Sequence, residues 1–279
     1  MKSSEWNWTS NDNLSMYARS WEPEGSAKAC VILVHGLGEH IGRYEHVGLA
    51  LTQAGYVLTG YDLRGHGKSG GVRGHTPSYD ALMNDIERFL DLAARRYPSL
   101  PRFLYGHSMG GNQVINFALR RQAELKGVIA TGPWLKLALE PPASKISLGK
   151  LMNRIFPAFI QASGLDTKAL SHDASVVQAY ENDPLVHDKI SARLFVEMYQ
   201  SGLWAFERAR EFPLPLLLMH GGQDSLTSPE ASRQFAAAAG DKVALRIWDG
   251  LFHEIHNEAE KAQVFAVMIA WLDERLKAK

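Results

Sequence analysis

Ser108 stands in Gly106-His107-Ser108-Met109-Gly110. A serine hydroxyl becomes a useful nucleophile only when a base, usually histidine, lies within hydrogen-bonding reach and an acid fixes the tautomer of that base. The chemistry of such a set is acyl transfer at a carbonyl. The β-favouring run 103–105 before the pentapeptide, and the helical spacing of apolar residues over 112–121 after it, predict a strand, a sharp turn and a helix. A turn this tight strains the serine backbone, so Gly106 and Gly110 must lack a Cβ. The free N–H groups of the following helix then point at the serine, where they suit an oxygen that becomes negative. The backbone N–H of Met109 is one such donor. Chance alone produces roughly 0.1 to 0.2 matches to the pentapeptide in a chain of this composition, so the partners downstream decide its meaning.

In a strand–turn–helix setting those partners follow in the order serine, acid, histidine. Of eleven histidines, only His253 and His256 follow the final predicted strand, 243–248, and His253 comes directly off the loop after Gly250. It is the expected base. Asp224, after strand 214–220, is the expected acid, with an ordinary turn or N-cap aspartate as the plain alternative and Asp249 as the fallback. The second oxyanion donor is expected in the loop after the strand that ends at His35, and the backbone N–H of Leu37 is the candidate. His35, His66 and His107 read as structural.

These residues need a scaffold that carries them to one place. Segments 6–9 and 14–21, around Asn11-Asp12-Asn13, predict a β-hairpin at a sheet edge. The continuous apolar run 29–35 predicts a strand covered on both faces. A helix over 44–54, a strand over 56–61, a glycine-rich loop over 62–71, a helix over 80–97 and a strand over 127–131 follow, and a helix over 259–276 ends the chain. This alternation means an α/β fold, with a mostly parallel sheet covered by helices and its sites at the carboxyl ends of strands. Residues 134–210 interrupt it with a helical insertion, a cap that divides the core into 1–133 and 211–279. Within it Leu148, Leu151, Met152, Ile155, Phe156, Phe159 and Ile160 form an apolar face, expected to pack on the body. A sharper alternative is a lid that touches a lipid surface transiently.

Composition bounds the partners. Thirty basic and thirty acidic residues leave no net charge, so nucleic acid is not expected as a partner. The single cysteine, Cys30, lies in the apolar run 29–35 and offers neither a disulfide nor a cysteine-based metal site. The proposed chemistry needs no metal or cofactor. The N-terminus lacks an apolar h-region, and no run approaches the roughly 18 apolar residues of a membrane span. A soluble cytoplasmic protein is expected.

Taken together, the stretches His35-Gly36-Leu37-Gly38-Glu39-His40-Ile41-Gly42-Arg43-Tyr44, Asp62-Leu63-Arg64-Gly65-His66-Gly67-Lys68-Ser69, Gly106-His107-Ser108-Met109-Gly110-Gly111, Asn182-Asp183-Pro184-Leu185, Gly222-Gln223-Asp224 and the His253 loop are distinctive. The chain resembles the α/β-hydrolase superfamily, and within it the monoacylglycerol lipase and lysophospholipase group, also classed with serine aminopeptidase-like hydrolases. The resemblance covers nearly the whole chain and implies an eight-stranded sheet with a helical cap. It also implies a catalytic Ser108, Asp224 and His253, an oxyanion hole from the N–H groups of Leu37 and Met109, and no cofactor. Glu39, Arg43, Tyr180 and His256 match positions at a polar pocket end that holds a glycerol headgroup. The implied substrate is a lipid-like ester, first a monoacylglycerol, with lysophospholipid or simpler carboxylic esters as alternatives. A peptidase would want an uncompensated carboxylate for a free amine, and Glu39 is the nearby candidate. A ligand-binding protein without turnover would be expected to have lost a member of the triad.

Overall fold

The apolar run read as a doubly covered strand is β3, Ala29–Val34, buried at every position in a computed structural model that describes residues 1–277. Alternate side chains of β3 serve opposite layers, as the period of two requires. Val31 and Leu33 join the core beneath α1 (Glu45–Gln53) and α8 (Lys261–Lys277). Cys30, Ile32 and Val34 join the core beneath α2 (Tyr79–Arg96), α3 (Met109–Arg120) and α7 (Pro229–Ala239). Each fully buried aliphatic or aromatic side chain there is worth roughly 1.5–3 kcal/mol.

The remaining strands of this sheet are β1 (Lys2–Thr9), β2 (Ser15–Glu22), β4 (Tyr56–Tyr61), β5 (Arg102–His107), β6 (Gly127–Thr131), β9 (Leu216–Gly221) and β10 (Val243–Trp248). Their order is β1-β2-β4-β3-β5-β6-β9-β10. The expected edge hairpin is β1–β2, turned at Asn13 in the left-handed region, and every pair from β4 to β10 is parallel. The expected eight-stranded, mostly parallel sheet is therefore present, and β3, β5, β9 and β10 all end at the same edge.

The glycine-rich loop after β4 braces that edge. Asp62 accepts the N–H of Ile41 at 2.8 Å and of Lys68 at 2.6 Å, joining the loop after β4 to the loop after β3. Arg64 is held by both oxygens of Asp85 on α2, at 2.7 and 2.8 Å.

Between β6 and β9 the insertion holds α4 (Ala143–Ile155), α5 (Ala174–Asn182) and α6 (Ala192–Glu207). It also holds a short antiparallel pair, β7 (Ile160–Ala162) and β8 (Lys189–Ser191), which the helical reading of 134–210 did not include. The apolar stripe expected to pack on the body does not. Helix α4 stops at Ile155, two residues before Pro157, whose missing N–H and fixed φ disfavour continuation. No residue of α4 is buried, and Leu148, Leu151, Ile155, Phe156 and Phe159 are all exposed. Met152 and Ile160 are half-buried.

Helix α6 is mounted quite differently. Asn112 on α3 donates to the carbonyls of Trp134 at 2.7 Å and Met198 at 3.1 Å, and Asn116 donates to that of Ser201 at 3.1 Å. Leu194, Met198 and Ala205 of α6 are part of the main core.

The β5–α3 turn is a tight approach of backbone to backbone. A Cβ at Gly110 would collide with the carbonyl oxygens of Val34 and His35, and a Cβ at Gly106 with that of Gly110. All are backbone atoms of the central strands and the helix start, with little freedom to retreat. Gly110→Ala should lower the melting temperature by roughly 5–12 °C, the shift that about 3 kcal/mol produces in a domain of this size. Thermal unfolding of the purified variant measures it, and a melting temperature equal to that of the parent contradicts this account of the turn.

Candidate active site

Ser108 occupies the turn between β5 and α3 with φ 53° and ψ −115°, one of three non-glycine residues among those described with positive φ. Its amide donates to the Thr131 carbonyl at 2.9 Å, and its own carbonyl accepts from Asn112 and Trp134, each at 3.0 Å. The hydroxyl is left free to face a cavity, where it makes no hydrogen bond to the described residues.

His253 and Asp224 reach the same place from two further loops. The imidazole Nδ1 donates to Asp224 Oδ2 at 2.6 Å, which fixes the tautomer and leaves Nε2 as the lone-pair nitrogen. Ser108 and His253 line one cavity, although no hydrogen bond joins them in this structure. Such contacts are commonly long before substrate binds and tighten in the complex. Asp249, the fallback acid, is exposed on its turn, and the carboxylate that meets the imidazole Nδ1 is that of Asp224, with Thr227 Oγ1 3.4 Å from the same nitrogen.

Asp224 is held by more than His253. Its Oδ1 accepts the N–H of Leu226 and Thr227 at 2.8 and 3.0 Å, and its Oδ2 lies 2.9 Å from both His220 Nε2 and Thr227 Oγ1. Burial works against the carboxylate, but the charge and hydrogen bonds of His253 and His220 outweigh it and hold the pKa far below the usual range. Burial likewise pushes the His253 imidazole down, yet Asp224 overrides it and the pKa lies above the ordinary histidine value. His220 and Thr227 escape a reading of the sequence. The spacing of His220 four residues before Asp224, at a strand end, was the available signal.

Leu37 and Met109 supply backbone N–H groups from the loop after β3 and the first turn of α3, and neither N–H has an acceptor among the described residues. The Leu37 loop is shaped by Glu39, whose Oε1 accepts the N–H of Gly36 at 2.6 Å and the hydroxyl of Tyr44 at 2.8 Å. His35 bridges this loop to the next, with Nδ1 on the Gly36 carbonyl and Nε2 accepting the N–H of Leu63, as a structural histidine should.

The four residues matched to a headgroup site divide into two pairs. Glu39 and Tyr180 line the cavity with Gly36, Leu37, Ser108 and His253. Arg43 and His256 do not. The Arg43 guanidinium points between Glu39 and Glu254, at 2.7 Å from each through one nitrogen and 2.8 Å from the second Glu254 oxygen through the other. Burial and the second carboxylate raise the pKa of Glu39, partly offset by Arg43, while Arg43 holds that of Glu254 low against burial. His256 lies deeper, stacked on Tyr44 with 5.0 Å between ring centroids and edge-on to His107 at 4.7 Å. Burial lowers its pKa to about 3, so the ring is neutral.

The cavity over Ser108 holds about 10 Å³, room for roughly one water. Leu165 and Leu170 of the insertion roof it. A free serine hydroxyl, an imidazole paired with a buried carboxylate, and two N–H groups without acceptors among the described residues are thus gathered at one small cavity, an arrangement able to support acyl transfer. No described helix is long and apolar enough to cross a membrane.

Comparison with known proteins agrees with this architecture. Residues 25–260 match the family described as Serine aminopeptidase, S33. The chain is 36% identical over 280 residues to an abhydrolase domain-containing protein of Dictyostelium discoideum; the match covers 99% of this chain and spans 30% of that protein's length. It is 34% identical over 254 residues to a monoacylglycerol lipase of Mycolicibacterium smegmatis, covering 90% of each. The crystal structure of Paleococcus ferrophilus monoacylglycerol lipase superposes with a TM-score of 0.86 at 33% identity, over 93% of this chain and 99% of that one. The sheet order, the strained serine turn and these likenesses lead to one assignment: the chain belongs to the Serine aminopeptidase, S33 family of α/β-hydrolases.

Proposed function

We propose that this ester hydrolase cleaves monoacylglycerols through an acyl-enzyme on Ser108. The observation that carries the reading is the buried Asp224–His253 bond, which leaves Nε2 unprotonated in the cavity that holds the serine hydroxyl. Ser108 Oγ attacks the ester carbonyl carbon while His253 Nε2 takes its proton. The carbonyl oxygen becomes negative, facing the N–H groups of Leu37 and Met109. Collapse breaks the ester bond, and His253 returns the proton to the leaving glycerol oxygen. Water, deprotonated by the same nitrogen, then releases the fatty acid and restores Ser108.

The charges around the cavity favour a neutral headgroup. Glu39 and Glu254 line it, and Arg43 is turned away to neutralise them, so a phosphate meets carboxylates rather than a cation. A free amine fares no better, because Glu39 is already compensated. Glycerol hydroxyls can use Glu39 as an acceptor and Tyr180 as donor or acceptor. The monoacylglycerol lipases at 34 and 33% identity support this choice.

A monoacylglycerol is far larger than the cavity, so part of the insertion must move. We take residues 134–210 as the cap and α4 as its free portion, since its apolar residues face outward with Lys145, Lys150 and Arg154 close by. That combination suits transient contact with the surface where such a lipid resides.

Ser108→Ala should cut monoolein turnover by roughly 10³- to 10⁶-fold, and parent protein should hydrolyse monoolein faster than lysophosphatidylcholine or an aminoacyl anilide. Normal glyceride hydrolysis by the alanine variant ends this proposal. Because protonated His253 cannot act as base, kcat/KM should rise with pH through a pKa above histidine's ordinary value. Asp224→Asn should move that limb to lower pH and lower kcat by about 10⁴. A limb at or below the ordinary value in the parent enzyme argues against the pairing. Phe159→Asp should weaken co-sedimentation with liposomes roughly tenfold or more, and equal binding by parent and variant removes the cap from the membrane contact.

A further inference from the structure

The loop that carries His253, residues 249–260, has no helix or strand of its own, so something else must fix where the imidazole stands. Asp224 grips one ring nitrogen and sets the tautomer. It does not set the backbone. On one side of His253, Arg43 takes both carboxylate oxygens of Glu254, at 2.7 and 2.8 Å. On the other, Glu258 Oε1 accepts the N–H of Phe252 at 2.9 Å.

Glu258 is only 2% exposed, and the other bonds of its side chain all run to the insertion. Its Oε2 accepts the Ser171 hydroxyl and the His172 N–H, each at 3.1 Å, and its Oε1 lies 2.9 Å from His172 Nδ1. The Phe252 ring stacks on the His172 imidazole with 3.6 Å between centroids. The Glu254 N–H donates to the Leu170 carbonyl at 2.8 Å in the same seam. A buried carboxylate with four donors from two segments is costly to desolvate and worth little as a mere surface tie. What it gains is a defined location for Phe252, and therefore for the residue that follows it.

We infer that Glu258 is a positioning residue for the hydrolytic reaction: through the Phe252 amide it sets the backbone at His253, and through Ser171 and His172 it holds that setting against the cap. The inference rests on the reading of Ser108, Asp224 and His253 as the triad. Displacing a catalytic base by about 1 Å costs up to roughly 10² in rate, so the effect belongs in kcat.

Glu258→Gln keeps the size of the side chain and one acceptor oxygen, but its amide nitrogen confronts N–H groups. On p-nitrophenyl acetate, too small to depend on the cap for binding, this variant should lose about 10- to 100-fold in kcat with KM within about threefold of the parent. Fluorophosphonate labelling of Ser108 should slow in proportion. The acid limb of kcat/KM should move to lower pH as His253 slackens from Asp224, with Glu39, Glu254, His107 and His256 unchanged around it. His172→Ala, at a half-exposed position, removes one donor and the stacked ring, and should show the same signature at about 3- to 10-fold.

A folded Glu258→Gln protein with parental kcat overturns the inference, as does a loss confined to KM or to monoolein. If Glu258→Gln does not fold, His172→Ala decides alone, and parental kcat and pH profile in that variant overturn it. Parent protein that neither labels at Ser108 nor turns over the ester sinks the triad reading and this inference together. Normal labelling of the parent with indifferent variants sinks only the inference.

Discussion

The Arg43 guanidinium shared between Glu39 and Glu254 is the interaction on which the site depends. Glu39 shapes the loop that presents the Leu37 N–H, and Glu254 adjoins His253. One planar cation therefore sets the distance between the loop that presents the Leu37 N–H and the loop that carries His253. Buried ion groups of this kind do not earn their place through net stability, since desolvation cancels most of the attraction. They define geometry. Losing Arg43 alone would leave two carboxylates facing each other away from water, at a cost of roughly 3–5 kcal/mol.

Much of this was legible in the sequence because the fold writes its strands plainly. The run 29–35 had to be covered on both faces, and the two cores beneath alternate residues of β3 are the physical form of that requirement. Gly106, Ser108 and Gly110 were legible for a steric reason: the turn admits only that pattern of missing Cβ atoms. That Asp224 and His253 would meet followed from the order in which strands deliver their loops to the sheet edge. Each inference used backbone geometry, which local sequence controls.

What local sequence does not control is where a polar side chain points once its loop has been placed. Arg43 and Glu39 lie four residues apart, yet only Glu39 reaches the cavity, because Glu254 arrives from a segment 211 residues away and claims the guanidinium. His256, three residues after His253, is carried inward between Tyr44 and His107 instead of toward the opening. The insertion was harder still. Its apolar stripe was visible, but periodicity reports that a face is apolar and not what covers it. The short β7–β8 pair is three residues per strand and leaves almost no pattern to detect.

The two ways in which the insertion is fixed have a consequence for how such proteins diversify. Helix α6 is bolted to α3 through Asn112 and Asn116, immediately behind the serine, whereas α4 touches the body with no buried residue. A chimera that exchanged 134–210 as a block would import a foreign floor for the helix that follows Ser108. An exchange limited to the stretch from Pro141 to Ala162 would leave that floor intact. The insertion is in this sense modular along only part of its length: the stretch from Pro141 to Ala162 lies outside both the roof residues Leu165 and Leu170 and the floor that α6 gives α3.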